Sequence, residues 1–325
     1  MARHPAWSLF TLALLVACGD RPLSPGDGGV SDSVPGDVFL YPPSELTCAG
    51  DCSDYVVSSI TFPQTPTPEI GVDENGDGVI DNVGGQILAA LIHLYPSSSA
   101  WDATDHSIHA GENIHLLRIK APSLINAAPN QAAAQMWLGE PQACCQDPDD
   151  GDRCEKEARA GCLGGAHAFK PASTKGALFG GRIDGGRATF GPTPRMPVRI
   201  DLPEQVALQC NLAHARILGT LKGERIERGV IAGVITPDEI AKSLNPALAL
   251  MLDRLLHDSS VSSIDRHDIS ILFDVNQDGG VDVHEVANNN LLNTFLAGDV
   301  DVDGDGVREL SMALHFEAVG ARITP

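Results

Sequence analysis

The sequence predicts an α+β protein with a mainly antiparallel, β-sandwich-like core, a few helices, and acidic loops near the C-terminus. Three observations predict it. Between residues 55 and 235, short runs alternate apolar and polar residues and are separated by Gly-rich turns, the pattern of half-buried antiparallel strands. After residue 236 the apolar period lengthens to that of helices. The last segment then returns to alternation, so the final strand is expected to rejoin the sheet.

Tyr55–Phe62 reads as a strand. Gln86–Tyr95 is an apolar run of helix length, ended by Pro96. Asn113–Ala121 alternates as a strand, and Ala177–Phe190 holds two short strands around the turn signal Asp184-Gly185-Gly186. Val198, Ile200 and Leu202 alternate, Val206–Leu221 forms a longer strand, and Val230–Ile235 is a short apolar run. Thr236-Pro237-Asp238-Glu239 starts a helix with three agreeing signals: a capping Thr, Pro in the first turn, and Glu three residues after the cap. Asn245-Pro246 restarts that helix, and Ala247–Leu256 continues it. A further helix is expected over Val286–Leu296, and Met312, Leu314, Phe316 and Ala318 alternate as the closing strand.

The most informative stretch is Asp274–Glu285, DVNQDGGVDVHE, which fits the EF-hand calcium pattern D-x-[DN]-x-[DN]-G-x5-E. Asp274, Asn276 and Asp278 take the first, third and fifth positions, and Gly279 permits the sharp turn at the sixth. Gly280 offers its carbonyl, Asp282 stands ninth, and Glu285 stands twelfth, able to grip an ion with both oxygens. Ile269, Leu272 and Phe273 just upstream have the spacing of an entering helix. Carboxylates this close repel one another, and a divalent cation relieves the repulsion. Two segments repeat the pattern less fully. In DENGDGVIDNVG, Asp73, Asn75, Asp77, Val79 and Asp81 match, but Gly84 replaces the terminal Glu. In DVDGDGVRELSM, Asp301, Asp303, Asp305, Val307 and Glu309 match, but Met312 ends the loop. These are read as EF-hand-like calcium loops; the alternative is an Asp/Gly turn whose side chains cap their own backbone.

The formal charge is −21, and residues 1–17 hold Arg3 and no acid, so the chain without them carries −22. Each of the three loops holds four acids, so part of the excess is ligand charge. Nucleic acid is excluded as a partner, because phosphate contacts need basic patches. Residues 1–17 read as a signal peptide, with an apolar run from Trp7 too short to span a bilayer. Residues 18–47 are rich in Gly, Pro, Ser and Asp and read as a disordered acidic tether. Residues 48–235 form the mainly β region, and 236–325 the helical, EF-hand-like region. His106, His109 and His115 have a conceivable zinc spacing, but satisfied or surface histidines are the ordinary reading. No G-x-S-x-G, H-E-x-x-H or phosphate-cradling loop is present.

An exported chain permits disulfides. Cys48 and Cys52 are close enough to bridge. Cys144, Cys145, Cys154 and Cys162 cluster in an Asp- and Gly-rich excursion, where two bridges are expected in one of three pairings. Cys210 is left over on an apolar strand face, as a buried thiol.

The run Leu15-Val16-Ala17-Cys18 resembles the lipobox of bacterial lipoproteins, which implies acylation of Cys18. Gly19 rather than Asp follows the Cys, which in that family favours the outer membrane. More widely, Asn75–Asn82, Leu116–Ile119, Gly180–Gly186, Gly229–Thr236, Phe273–Gly279 and Asp299–Gly306 are similar to segments of a group of lipoproteins abundant in myxobacteria and their relatives. The resemblance implies calcium, a cell-envelope location and a membrane anchor through the lipid, and it implies no particular activity. The expectation is a lipid-anchored, calcium-binding envelope protein, structural or binding a protein or glycan, with no catalysis evident. The alternative is calcium-dependent glycan binding or glycoside hydrolysis on a β-sandwich.

Overall fold

The computed structural model describes residues 46–48, 50–62, 71–93, 100–125 and 129–324. The expected signal peptide, the expected acylation site Cys18 and nearly all of the expected tether lie outside them. In chain order the strands are β1 (Cys52–Thr61), β2 (His115–Lys120), β3 (Asn130–Leu138), β4 (Ala168–Phe169), β5 (Ala177–Asp184), β6 (Arg187–Thr193), β7 (Met196–Leu202), β8 (Val206–Lys222), β9 (Arg225–Ile235), β10 (Leu310–Gly320) and β11 (Arg322–Ile323). The helices are α1 (Val83–His93), α2 (Ala100–Ala110), α3 (Gly151–Ala160), α4 (Asn245–His257), α5 (Ser263–Phe273), α6 (Val283–Asn288) and α7 (Asn290–Phe295). Thr236 caps the turn that leads through a π-helical segment, Ile240–Leu244, into α4.

The core is a closed barrel, not the expected sandwich. Its antiparallel strands run in the order β6-β5-β3-β2-β1-β10-β9-β8. β6 then pairs with the second half of β8, from Arg187 opposite Thr220 to Phe190 opposite Ile217, and closes the ring. Alternating strands read identically in a sandwich and in a barrel, since both bury one face. The β6–β8 pairing decides between them, and no local pattern encodes it. β10 lies between β1 and β9, so the strand nearest the C-terminus completes the wall. Leu310, Met312, Leu314, Phe316 and Ala318 on β10 are buried in the main core, while Glu317 on the other parity is exposed. α1, α4 and the end of α7 meet where β9 stops and β10 starts, through Leu88, Leu248, Leu296, Ile235 and Leu310, leaving a void of only about 10 Å³.

β7 pairs only with the first half of β8 and leaves one edge without a strand partner. That edge is capped by side chains. His115 Nε2 accepts from the Arg199 N–H at 3.2 Å, Asn113 Nδ2 donates to the Arg199 carbonyl at 3.3 Å, and Thr104 Oγ1 donates to the Asp201 carbonyl at 2.9 Å. Pro197, of the same parity, has no N–H to leave bare. The Asp201 carboxylate is buried and accepts from Ser107 Oγ at 2.6 Å, Asn113 Nδ2 at 2.8 Å and the Arg199 guanidinium at 2.8 Å. The cluster therefore clamps α2 and the start of β2 onto β7, while Asn113 Oδ1 and His115 Nδ1 stay buried without a hydrogen-bond partner among the described residues.

Three disulfides join Cys48 to Cys52, Cys144 to Cys162 and Cys145 to Cys154. The last two staple α3, whose N-terminus is capped by Asp150. Cys210 is free and buried, and burial, with a smaller push from Glu239, raises its thiol to about 12.

Burial, with the Arg199 charge adding, holds His115 down at about 4 against an ordinary 6.5. The folded state thus keeps the ring neutral while the unfolded chain protonates near 6.5. Stability contributed by this site is full above about pH 6.5 and is lost as pH falls through about 4, a loss of roughly 3 kcal/mol. Relative to His115→Gln, whose amide oxygen still accepts from Arg199, the native protein should lose about that much between those pH values in urea denaturation. Parallel pH profiles for the two proteins would contradict this assignment.

Candidate metal centres

The first loop lies between β1 and α1 and docks on the outer wall of the barrel. Val72 packs with Val230, Ala232 and Ala313 on β9 and β10. Glu74 is buried, with Oε2 3.3 Å from His214 Nδ1 and 3.5 Å from Arg216 Nε on β8. The third loop runs directly into β10. The second lies between α5 and α6, and its Val281 is buried in the core shared with α4. Asp253 of α4 accepts from the Val281 N–H at 3.2 Å.

The first and third loops have the same internal geometry. In each, the residue before the first ligand bridges to the ninth position: Val72 to Asp81, and Val300 to Glu309. The first carboxylate accepts from the fourth and sixth N–H groups. Asp73 takes Gly76 at 2.6 Å and Gly78 at 2.8 Å; Asp301 takes Gly304 at 2.7 Å and Gly306 at 3.0 Å. The fifth carboxylate accepts from the seventh N–H, Asp77 from Val79 and Asp305 from Val307, at 2.8 and 2.7 Å. Those acceptors wrap the chain of each loop around its first carboxylate. The sixth glycines, Gly78 and Gly306, have φ of 87° and 88°, a conformation that costs a side-chain-bearing residue.

The twelfth position explains why these loops lack a terminal Glu. Gly84 approaches β10 so closely that a Cβ would lie 2.7 Å from the Ser311 carbonyl. Met312 is buried in the core. Both positions are spent on packing, and the ninth carboxylate reaches into the loop instead. Asp81 accepts from the Glu74 N–H at 2.9 Å, and Glu309 from the Val302 N–H at 3.4 Å.

The second loop keeps its terminal Glu. Glu285 accepts from the Asn276 N–H at 3.0 Å and from the Asp282 N–H at 3.0 Å, while Asp282 caps α6. Asp274 accepts from the Asp278 and Gly279 N–H groups, both at 3.1 Å, and Asp278 from the Gly280 N–H at 3.1 Å. Asp274 and Glu285 are both buried.

Asp301, Asp303 and Asp305 bring their carboxylate oxygens within 4.8 Å of one another, and this cluster could hold a metal ion. It is the only such grouping of three His, Cys, Asp or Glu side chains among the described residues. The tightest carboxylate convergence therefore falls in the third loop, not in the second, whose sequence fits the pattern best. One reason is chemical: the third position is Asp303 in the third loop but the neutral amides Asn75 and Asn276 in the others. The histidines at 106, 109 and 115 form no such group.

The charge in these loops is under strain. Burial pushes Asp81 up to about 6, and the carboxylates of Asp299, Asp77 and Asp73 add to the push, against one N–H from Glu74. Burial also raises Glu309, with Asp303 and Asp305 adding to it. A bound cation reverses that tendency. The oxygen-only donor set, without Cys or His, suits a hard cation.

The first and third loops meet at one buried serine. Asp299, two residues before the first ligand of the third loop, accepts from Ser311 N–H at 2.8 Å and from Ser311 Oγ at 2.6 Å. Ser311 Oγ accepts from the Val83 N–H, just past the first loop, at 2.9 Å. Beside it, Asn82 Oδ1 accepts from the Ala313 N–H at 2.6 Å. The sequence resemblance picks out Asn82 and Asp299 only as parts of longer motifs, and nothing local marks Ser311.

Searches against protein-family models, curated proteins and solved structures found no match to this chain. The fold and the site therefore define the class directly: a closed antiparallel β-barrel bearing Asp-rich loops, one of which could hold a metal ion.

Replacing Ser311 with Ala takes the hydroxyl donor from half-buried Asp299 and the acceptor from the Val83 N–H. It should cost about 2–3 kcal/mol, read as a lower urea midpoint. A loss under about 0.5 kcal/mol would show that the serine does not carry the junction.

Proposed function

We propose that this chain is a calcium-binding protein of a bacterial cell envelope, held to a membrane through lipid on Cys18, in which calcium braces the barrel. The observation that carries the reading is the shared loop geometry. Asp73, Asn75, Asp77 and Asp81, and Asp301, Asp303, Asp305 and Glu309, fold around the same backbone N–H pattern and are wired into β8 and β10. With Val79 and Val307 as carbonyl donors, each set offers the oxygens that calcium prefers. Asp274, Asn276, Asp278, Gly280, Asp282 and Glu285 supply the third site. Resemblance to the myxobacterial lipoprotein group and the lipobox-like residues 15–18 support the envelope location.

A bracing role follows from where the loops sit. They join strands and helices of one core, so an ion that binds only the folded state raises its stability. At a hundredfold excess over Kd, each site adds about 2.7 kcal/mol, on the order of 5–10 °C in melting temperature for a domain of this size. Chelator should therefore lower the melting temperature by at least that much, and Glu285→Gln should weaken one calorimetric site while the others persist. An unchanged melting curve in chelator would sink the reading. For the anchor, Cys18→Ser should abolish metabolic lipid labelling; an unmodified mature N-terminus downstream of Cys18 would refute it.

A further inference from the structure

The geometry points to an anion-binding groove between the starts of β5 and β7, built to hold the carboxylate of a compact organic acid. The groove has a volume of about 250 Å³ and is lined by Lys175, Gly176, Ala177, Arg195, Pro197 and Asn211. It lies outside the three acidic loops, and its two charged residues are both cations. This stands out in a chain with 43 acids and 22 bases. Many of its bases are spent on carboxylates, such as Arg118 on Asp54, Arg199 on Asp201 and Lys170 on Glu140. Lys175 and Arg195 are exposed and, like several other bases such as Arg182, Arg187 and Arg308, make no ion pair among the described residues.

Arg195 is held in place by a relay. Its Nε donates to Asn211 Oδ1 at 2.8 Å. The other end of that amide, Asn211 Nδ2, donates to Glu239 Oε1 at 3.3 Å, and the Asn211 N–H donates to the same oxygen at 3.1 Å. Ser243 Oγ also donates to it at 2.7 Å. Glu239 thus fixes which way the amide points, and the amide fixes the guanidinium. One N–H of Arg195 is used in this way. The terminal Nη groups have no acceptor among the described residues, and they form the planar pair of donors that matches a carboxylate edge. Three neutral donors on Glu239 Oε1 hold that carboxylate in place behind Asn211.

The walls select the rest of the ligand. Ala177 and Pro197 give an apolar surface suited to a carbon skeleton. Gly176 lets the chain run against Trp137, where a Cβ would fall 2.5 Å from the indole Nε1. Phosphate and sulfate carry no carbon skeleton to cover that apolar surface, which favours an organic carboxylate over either. The volume suits one acidic sugar ring or a molecule of that size.

The test is a titration of the calcium-loaded protein with glucuronate, followed by backbone amide shifts, with sulfate and phosphate as separate arms. Saturable shifts at residues 175–177, 195–197 and 211 are expected, with Kd below about 10 mM. Arg195→Gln should weaken binding at least tenfold, Arg195→Lys should weaken it less, and Lys175→Gln should weaken it with the melting temperature unchanged. No saturable shift, equal binding by Arg195→Gln, or saturation by sulfate or phosphate but not by glucuronate would overturn the proposal.

Discussion

The hydrogen bond from Ser311 Oγ to Asp299, at 2.6 Å, is the contact on which the acidic half of this molecule depends. Ser311 is fully buried at the start of β10, just where that strand leaves the third loop. By accepting from the Val83 N–H it also fixes the N-terminus of α1. The barrel wall, a helix over its end and two acidic loops separated by more than 200 residues thus share one hydroxyl. The arrangement gives those loops a rigid base, and a rigid base lets carboxylates converge without the chain relaxing away from their repulsion. Gly84 and Gly85 serve the same end, since they let α1 approach the carbonyls of Ser311 and Ala313 more closely than any side chain would allow.

Electrostatics divides the molecule. Around the first and third loops, burial and mutual repulsion raise Asp81 and Glu309, so an unfilled loop stores unfavourable charge. Elsewhere, acids are matched locally: Asp201 by Arg199 and two neutral donors, Asp54 by a bidentate Arg118 that also reaches the Ile323 carbonyl. Asp54 accepts from the Ile323 N–H as well, so that pair ties the first strand of the barrel to the last segment of the chain. The contrast matters for the reading of calcium. In the first and third loops the carboxylates of Asp73, Asp81, Asp301 and Asp305 are held by backbone N–H groups instead of basic side chains.

Local pattern made much of this legible. Alternation marks β7 and β8, the Asp-Gly-Gly turn marks the β5–β6 hairpin, and Thr236 is the cap that its sequence context implies. The acidic loops are visible because ligand spacing is a local property. Closure is not, and β6 meets β8 through a register that no short window contains, which is why a barrel reads as a sandwich. β3, with its small residues Ala132, Ala133 and Ala134, lacks a strong strand signature and shows itself only by pairing with β2 and β5. The twelfth positions of the first and third loops look like defects in the sequence, and the fold shows Gly84 and Met312 as packing residues. Disulfide pairing among Cys144, Cys145, Cys154 and Cys162 likewise needed three-dimensional proximity.

The central claim is that the three acidic loops are calcium sites built on the barrel. Diffraction from crystals grown in calcium, measured for its anomalous signal, tests this most directly. The account predicts one peak in each loop, with the oxygens of Asp301, Asp303 and Asp305 at about 2.3–2.6 Å from the ion in the third. Loops that keep this geometry in calcium while showing no anomalous density would contradict it.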